Sequence, residues 1–368
     1  MTRDLALIAE RRAGLAALFG LLLLEEPGPD LRDFVSSVPA LAPLASGDPA
    51  IATAYERIFL RGVPLFESVF RSDNGQQGGD VLAAVVARYE TVGFREHSDR
   101  RWRVAGDDHL GMQLRCYAQL CHDEAAAWRN QTPDLAMKAV ETERSFLADH
   151  LSTWAQIALD AVSEVAGGTP YCDLIHALDE FVTEEHDRLR PGPLHGQSIE
   201  LSPLPSNFGP ARLSRLLLTP ATCGVWLTDA TISQSARSIG SPWRPSDTRS
   251  ALRHLVETAN DSGDLDILLE PIHGAIACAA QTYAARAAQE PANEATWRMW
   301  QQTAETMAGF LATMIESNRL APIEAIAQEA IMVTGADPTQ LADVVDEIVE
   351  RLRAKGFSAE RIGGRAIA

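Results

Sequence analysis

Glu10 to Pro29 reads ERRAGLAALFGLLLLEEPGP, two arginines followed by an apolar run, which has the outline of an export signal. The outline fails at both ends. Glu10 precedes the arginines, the run from Gly14 to Leu24 is too short to span a bilayer, and it closes on Glu25-Glu26-Pro27 in place of a small-residue cleavage site. Leu5, Ile8, Leu15, Leu18, Phe19 and Leu22 recur at helical spacing, so the stretch predicts a strongly buried first helix stopped by Pro27.

The same period recurs along the chain. Thr132 or Asp134 is positioned to cap a helix that starts at Pro133, and Phe146, His150, Leu151, Trp154 and Ile157 form one stripe within it. Leu110, Leu114, Tyr117 and Leu120 form another, preceded by Asp107-Asp108, whose carboxylates suit the positive end of a helix. No segment alternates for long as a strand does, and the fold class expected is all-α: a helical bundle followed by a second helical region.

Between Leu189 and Leu213 the pattern stops, and RPGPLHGQSIELSPLPSNFGPAR collects prolines, glycine and serine, the composition of a linker or irregular crossover. This divides the chain into a first domain at 1–188, a linker at 189–212, a helical extension at 213–358 and a frayed tail at 359–368. Within the extension, helices are expected at Leu213–Leu218, at Thr228–Ile239 before Gly240, at Ser246–Ala259, and before and after Pro322. A last one runs from the capping-box-like Asp337-Pro338-Thr339-Gln340 to Gly356.

Composition narrows the function. With 32 basic against 50 acidic residues the formal net charge is −18, which repels nucleic acid and anionic membranes and favours a basic partner. Five cysteines (Cys116, Cys121, Cys172, Cys223, Cys278) without a C-x-x-C suit reduced thiols in a cytoplasmic protein, and Cys121-His122 reads as helix surface. There is no phosphate-binding glycine loop, no H-E-x-x-H and no G-x-S-x-G. The nearest approach to a helical metal site is Asp173-x-x-His176 with Glu180, which reads as a solvated helix face. No catalytic residue, metal or cofactor is expected.

RIFLRGVPLFESVF, Arg57 to Phe70, breaks from its surroundings: a helical run is interrupted by Gly62 and Pro64, and aromatics then flank Glu67-Ser68. Together with YETVGFREHSDRRWRVAGDDHLGMQL, Tyr89 to Leu114, it resembles the Y-x-x-L-F … P-x-x-E-S and Y-x-x-x-G-F … D-H-L stretches of the TorD/DmsD/NarJ family of redox-enzyme maturation chaperones. FLADHLSTW, Phe146 to Trp154, is similar to that family's F-x-x-x-H-L-x-x-W helix, and the first helix with its Pro27 stop is similar to the family's first. Gln113 stands where the family often has Glu, and Leu65-Phe66 where a proline-aromatic pair is commoner.

The resemblance implies a cytoplasmic, non-catalytic helical chaperone. Its partner would be a molybdenum-cofactor oxidoreductase, bound through its twin-arginine signal peptide or as apoenzyme until the cofactor is inserted. The client-contact positions it implies are Tyr55, Phe59, Pro64, Leu65, Phe66, Glu67, Ser68, Asp108 and His109. The turn would then be an exposed apolar surface, with acidic groups for the client's arginines. From the residues alone, Tyr55 and Phe59 read equally as core, Pro64 as shaping the turn, and Asp108 as the cap of its helix.

LLLTPATCGVWLTDATISQSARSIGSPWRPSDTRSALRHL, Leu216 to Leu255, resembles an extension of longer family members, with Trp243 and Arg244 as a secondary contact. It also imitates a helix-turn-helix, with Arg237, Arg244, Arg249 and Arg253 near the second helix, which gives a DNA-binding regulator as the alternative. A helical oxidoreductase with an unrecognised metal site is a third reading. The sequence does not identify the client or distinguish a monomer from a homodimer.

Overall fold

The computed structural model describes residues 2–95, 106–190, 209–241 and 248–334. The linker from 191 to 208, the pair Trp243 and Arg244, the final helix expected at 337–356 and the tail lie outside the described residues. The chain divides into two units. One comprises Met1–Ser202, Leu217–Thr228 and Ala279–Ala304; the other comprises Pro203–Leu216, Asp229–Cys278 and Glu305–Ala368. Two stretches assigned from sequence to the extension, 217–228 and 279–304, thus pack in the first unit.

The secondary structure is helical, with no strand among the described residues. The first unit contains α1 (Thr2–Leu24), α2 (Pro29–Ser36), α3 (Pro49–Tyr55), α4 (Glu67–Arg71), α5 (Gly79–Val92), α6 (Leu110–Arg129), α7 (Pro133–Phe146), α8 (Ala155–Ala166) and α9 (Tyr171–Leu189). After these come α10 (Pro210–Leu217), α11 (Pro220–Cys223), α12 (Asp229–Ser238), α13 (Thr248–Ser262), α14 (Leu265–Gln289) and α15 (Glu294–Thr334). Two π-helical turns, Glu56–Leu60 and Leu147–Leu151, follow α3 and α7 without a break. The expected interruption at Pro322 does not occur: α15 runs through it, the loss of one backbone bond being absorbed within a helix of 41 residues.

α1 packs against α6 along a face that its leucines do not define. Ala6, Ala9, Ala13, Ala16 and Gly20, spaced three and four apart, are buried, whereas Leu7, Ile8 and Leu15 are exposed. The reason is close approach. A Cβ on Gly20 would lie 2.7 Å from the Gly111 carbonyl oxygen, and one on Gly111 would lie 2.7 Å from that of Gly20. Small residues let the two backbones touch, so the small-residue stripe turns inward; only Leu18, Phe19 and Leu22 of the expected apolar stripe are buried, while Leu5 is half-buried.

Arg12 lies on the same inward face and is buried, so its guanidinium takes its acceptors from the protein. Its Nε donates to Glu185 Oε1 at 2.8 Å, Nη1 to Glu124 Oε2 at 2.6 Å, and Nη2 to Glu143 Oε2 at 2.5 Å and Glu185 Oε2 at 2.9 Å. Nη2 also reaches Tyr117 Oη at 3.3 Å and Cys121 Sγ at 3.2 Å. Cys121 is therefore buried beside a guanidinium and not on the helix surface expected for it; its neighbour His122 is exposed. Arg188 closes the cluster from α9 by pairing with Glu143 at 2.5 Å and Glu185 at 2.9 Å.

Three carboxylates face two guanidinium groups, so full ionisation leaves one buried negative charge in excess. Glu143 is the group that carries the strain: it is completely buried, its Oε1 has no hydrogen-bond partner among the described residues, and desolvation pushes its pKa up to about 7 against the pull of Arg12 and Arg188.

Elsewhere in the first unit, Arg286 pairs with Asp160 at 2.8 Å, Asp179 at 2.6 Å and Glu290 at 2.8 Å, over the face of Trp297 at 4.3 Å. Trp300 Nε1 donates to the Thr153 carbonyl at 2.9 Å, and Asn293 Nδ2 donates to Gln156 Oε1 at 2.5 Å. Residues 279–304 thereby form part of the core beneath α8 and α9. In the second unit α12 lies against α13, and Arg319 of α15 pairs with Asp266 at 3.4 Å and with Glu270 of α14.

Two outcomes are expected. Gly20→Ala forces a methyl into the Gly111 backbone and should destabilise the fold by about 1–3 kcal/mol in chemical denaturation. A carboxyl whose pKa rises on folding holds its proton more tightly in the native chain. The contribution of Glu143 is therefore full below its ordinary value of 4.5 and is lost as the pH rises toward about 7. Glu143→Gln should remove that loss, so melting temperatures across this pH range should fall for wild type and stay flatter for the variant.

Candidate functional site

The turn at 62–67 and the Asp108-His109 segment are built as one piece. After the π-helical turn, the chain at 65–67 meets 108–110, and Phe66 N also donates to the Pro64 carbonyl at 2.9 Å. Leu110 N donates to the Leu65 carbonyl at 2.8 Å, Glu67 N to the Asp108 carbonyl at 3.0 Å, and Phe66 pairs with His109 in a single antiparallel bridge. The two motifs, far apart in sequence, supply each other's backbone partners where neither is helical.

Side chains complete the joint. Asp108 Oδ2 accepts from Ser68 N at 3.0 Å and from Ser68 Oγ at 2.5 Å, so it caps α4 across the chain and not its own helix. His109 is the residue that caps α6: its Nδ1 accepts from Gly111 N at 3.1 Å, which leaves the proton on Nε2. Burial lowers the His109 pKa to about 3 and keeps the ring neutral, edge-on to Phe66 with centroids 5.0 Å apart. Ser68 Oγ in turn accepts from Gly78 N at 2.9 Å.

Glu67 begins α4 and is buried. Its Oε1 pairs with Arg71 one turn on; its Oε2 accepts from Gln113 Nε2 at 2.5 Å and faces His150 Nδ1 at 3.2 Å. Arg71 also donates to the Asp149 carbonyl at 2.8 Å. The amide at 113 suits this place: a carboxylate there would oppose that of Glu67, whereas Gln113 gives it a donor. Asp108 Oδ1 and Gln113 Oε1 are buried without a hydrogen-bond partner among the described residues, and burial raises the Asp108 pKa despite the two bonds from Ser68.

The structure thus assembles Leu65, Phe66, Glu67, Ser68, Asp108 and His109 in one place but does not leave them on the surface. Leu65 is 1% and Phe66 9% exposed, and Asp108 and His109 are covered completely or nearly so. The expectation of an exposed apolar turn is corrected accordingly; Pro64 is half-buried. Tyr55 and Phe59 stand apart from this joint, in an aromatic cluster with Tyr171, and the Tyr55 hydroxyl donates to the Leu23 carbonyl at 3.0 Å. Sequence reasoning missed Arg71, and it placed His150 on a stripe without seeing that it faces Glu67.

Residues 25–159 match the family described as nitrate reductase delta subunit. This part of the chain is similar to that family of NarJ/TorD-type chaperones, which serve the maturation of molybdoenzymes. No curated protein and no solved structure matches the chain. The match to the chaperone family takes in both halves of the joint and Phe146 to Trp154, and it stops within α8. Arg12 and Glu185 lie outside it, as do Arg286 and Trp300.

The other candidate sites carry less. Among the described residues no group of three His, Cys, Asp or Glu side chains could hold a metal ion. His176 is exposed beside Ser163, at 3.3 Å, and Cys172, at 3.8 Å. In the helix-turn-helix-like segment Arg253 pairs with Glu257 at 2.8 Å on an exposed face. Among the described residues no helix is long and apolar enough to cross a membrane.

Leu65→Ala should lower stability by about 2–5 kcal/mol, the range for a buried leucine. Ser68→Ala should lower it by about 1–3 kcal/mol, because Asp108 and Gly78 N both lose a partner. Denaturant melts of the two variants check these values; wild-type stability in both would show that the joint is not closed in solution.

Proposed function

We propose that the chain is a cytoplasmic chaperone that binds a molybdenum-cofactor oxidoreductase, by its twin-arginine signal peptide or as apoenzyme, and assists cofactor insertion. The observation that carries this reading is the joint itself: the family's two motif stretches, matched within residues 25–159, meet around the carboxylates of Glu67 and Asp108. Client contact is proposed at the positions named from the resemblance, with two distinctions. Leu65, Phe66, Ser68, Asp108 and His109 shape the site from within, while Tyr55 and Phe59 lie in the neighbouring aromatic cluster with Tyr171. Glu67 is the acceptor for a client guanidinium, which would replace that of the half-buried Arg71 on Oε1.

The acid excess of the chain supports the same polarity, for a net charge of −18 draws a basic segment in at long range. Titration calorimetry tests the reading, using a synthetic peptide with two arginines before an uncharged apolar run and a twin-lysine version as control. The arginine peptide should bind more tightly, and Glu67→Gln should weaken it by on the order of tenfold, the cost of a charge-assisted hydrogen bond. Association should also slow with rising salt, because screening shortens the field to about 8 Å at physiological ionic strength. Equal affinity for both peptides, unchanged in Glu67→Gln, would remove Glu67 from the site.

A further inference from the structure

The face of α4 is covered by the chain's own residues. Leu217–Thr228 packs in the first unit although the residues before it (203–216) and after it (229–278) belong to the second. Within this strap, α11 lies against α4, and the half-buried Trp226 sets its ring 6.1 Å from that of Phe70. Gly75 lies beneath it: a Cβ there would fall 3.0 Å from the Leu218 carbonyl oxygen and 3.2 Å from Thr219 Oγ1. Thr219, Ala221, Cys223, Val225 and Leu227 are buried, and Thr228 Oγ1 donates to Glu164 Oε1 at 2.7 Å.

The seat is shaped closely to the strap. Gly224 has φ +82, and a Cβ on it would lie 2.5 Å from the Ala304 backbone nitrogen, so a side chain is refused both by conformation and by space. The strap carries no charge from Leu216 to Thr228, and Arg212 and Arg215 precede it in sequence. Basic residues followed by an uncharged apolar run are the composition of an export signal.

We propose that Leu217–Thr228 is an internal stand-in for the client, and that a basic-then-apolar peptide reaches the α4 face by exchange with it. This rests on the chaperone reading above and adds two things to it: the segment recognised is uncharged and apolar, and binding is self-inhibited. A client must then compete with a tethered segment at high effective concentration, which lowers its apparent affinity by the fraction of time the face is open.

The test uses the full chain, the variants Trp226→Ala and Gly224→Val, and the twin-arginine peptide as probe. Amide hydrogen exchange is read at Cys223 and Gly224, whose N–H groups bond to the Thr219 carbonyl at 2.8 Å and the Pro220 carbonyl at 2.7 Å. The expected result is that peptide binding releases protection at these amides in wild type, and that both variants bind about tenfold more tightly. Binding to the variants but not to wild type supports the proposal as well. If the peptide binds all three proteins equally and the amides stay protected, the strap is ordinary core and the proposal falls while the chaperone reading stands. If no protein binds the peptide, both fall. Should Gly224→Val fail to fold, Trp226→Ala decides alone, since a half-buried ring is the milder loss.

Discussion

A buried guanidinium must be given acceptors by the protein, and at Arg12 that requirement organises the bundle. Its hydrogen bonds go to Glu124 of α6, Glu143 of α7 and Glu185 of α9, so one side chain of α1 is satisfied only when three other helices are in place. Removing the cation would leave carboxylates facing one another away from solvent, which is far costlier than the pair interactions themselves suggest. The cluster specifies an arrangement more than it adds stability, because the surplus charge held at Glu143 works against the fold at high pH. α1 and Glu185 lie outside the stretch matched to the chaperone family, so the matched segment does not contain everything that fixes its own geometry.

The joint at Leu65–Ser68 and Asp108–Leu110 follows the same logic on a smaller scale. A chain leaving one helix and entering another has unpaired backbone groups at both ends. Here the end of one connection satisfies the start of the other, through two backbone hydrogen bonds and the Asp108 carboxylate. Residues that read as candidate contacts are therefore also those that hold the connection together. Proline and aromatic groups on this turn serve a buried seat, which the strap covers at α4.

The helical class was legible because periodic apolar residues are a local signal, and the order of the short motifs pointed to the joint. What escaped was everything decided by tertiary approach. In α1 the leucines dominate the eye, yet Ala6, Ala9, Ala13, Ala16 and Gly20 face inward, and at Gly20 contact with Gly111 of α6 leaves room for nothing larger. Arg12 looked like half of a signal motif, since nothing local announces that three glutamates wait for it. Pro322 read as a stop, but α15 runs through it. The strap was hidden for another reason: its partners Phe70 and Ala304 are remote in sequence in opposite directions.

The two π-helical turns bear on how this chain tolerates change over evolutionary time. Glu56–Leu60 and Leu147–Leu151 each hold one residue more than the regular helix around them needs. Excising a residue from either would let the last turn close as an ordinary α-helical one and move the point at which the chain leaves the helix by about 100° around its axis. The second turn ends its helix: residues 152–154 form a turn and Trp154, with φ −150 and ψ −28, leads into α8, so the stripe expected from Phe146 to Ile157 is divided between two helices. Length at these two places is thus held more tightly than identity: a substitution leaves the phase of the helix intact, while a deletion resets it.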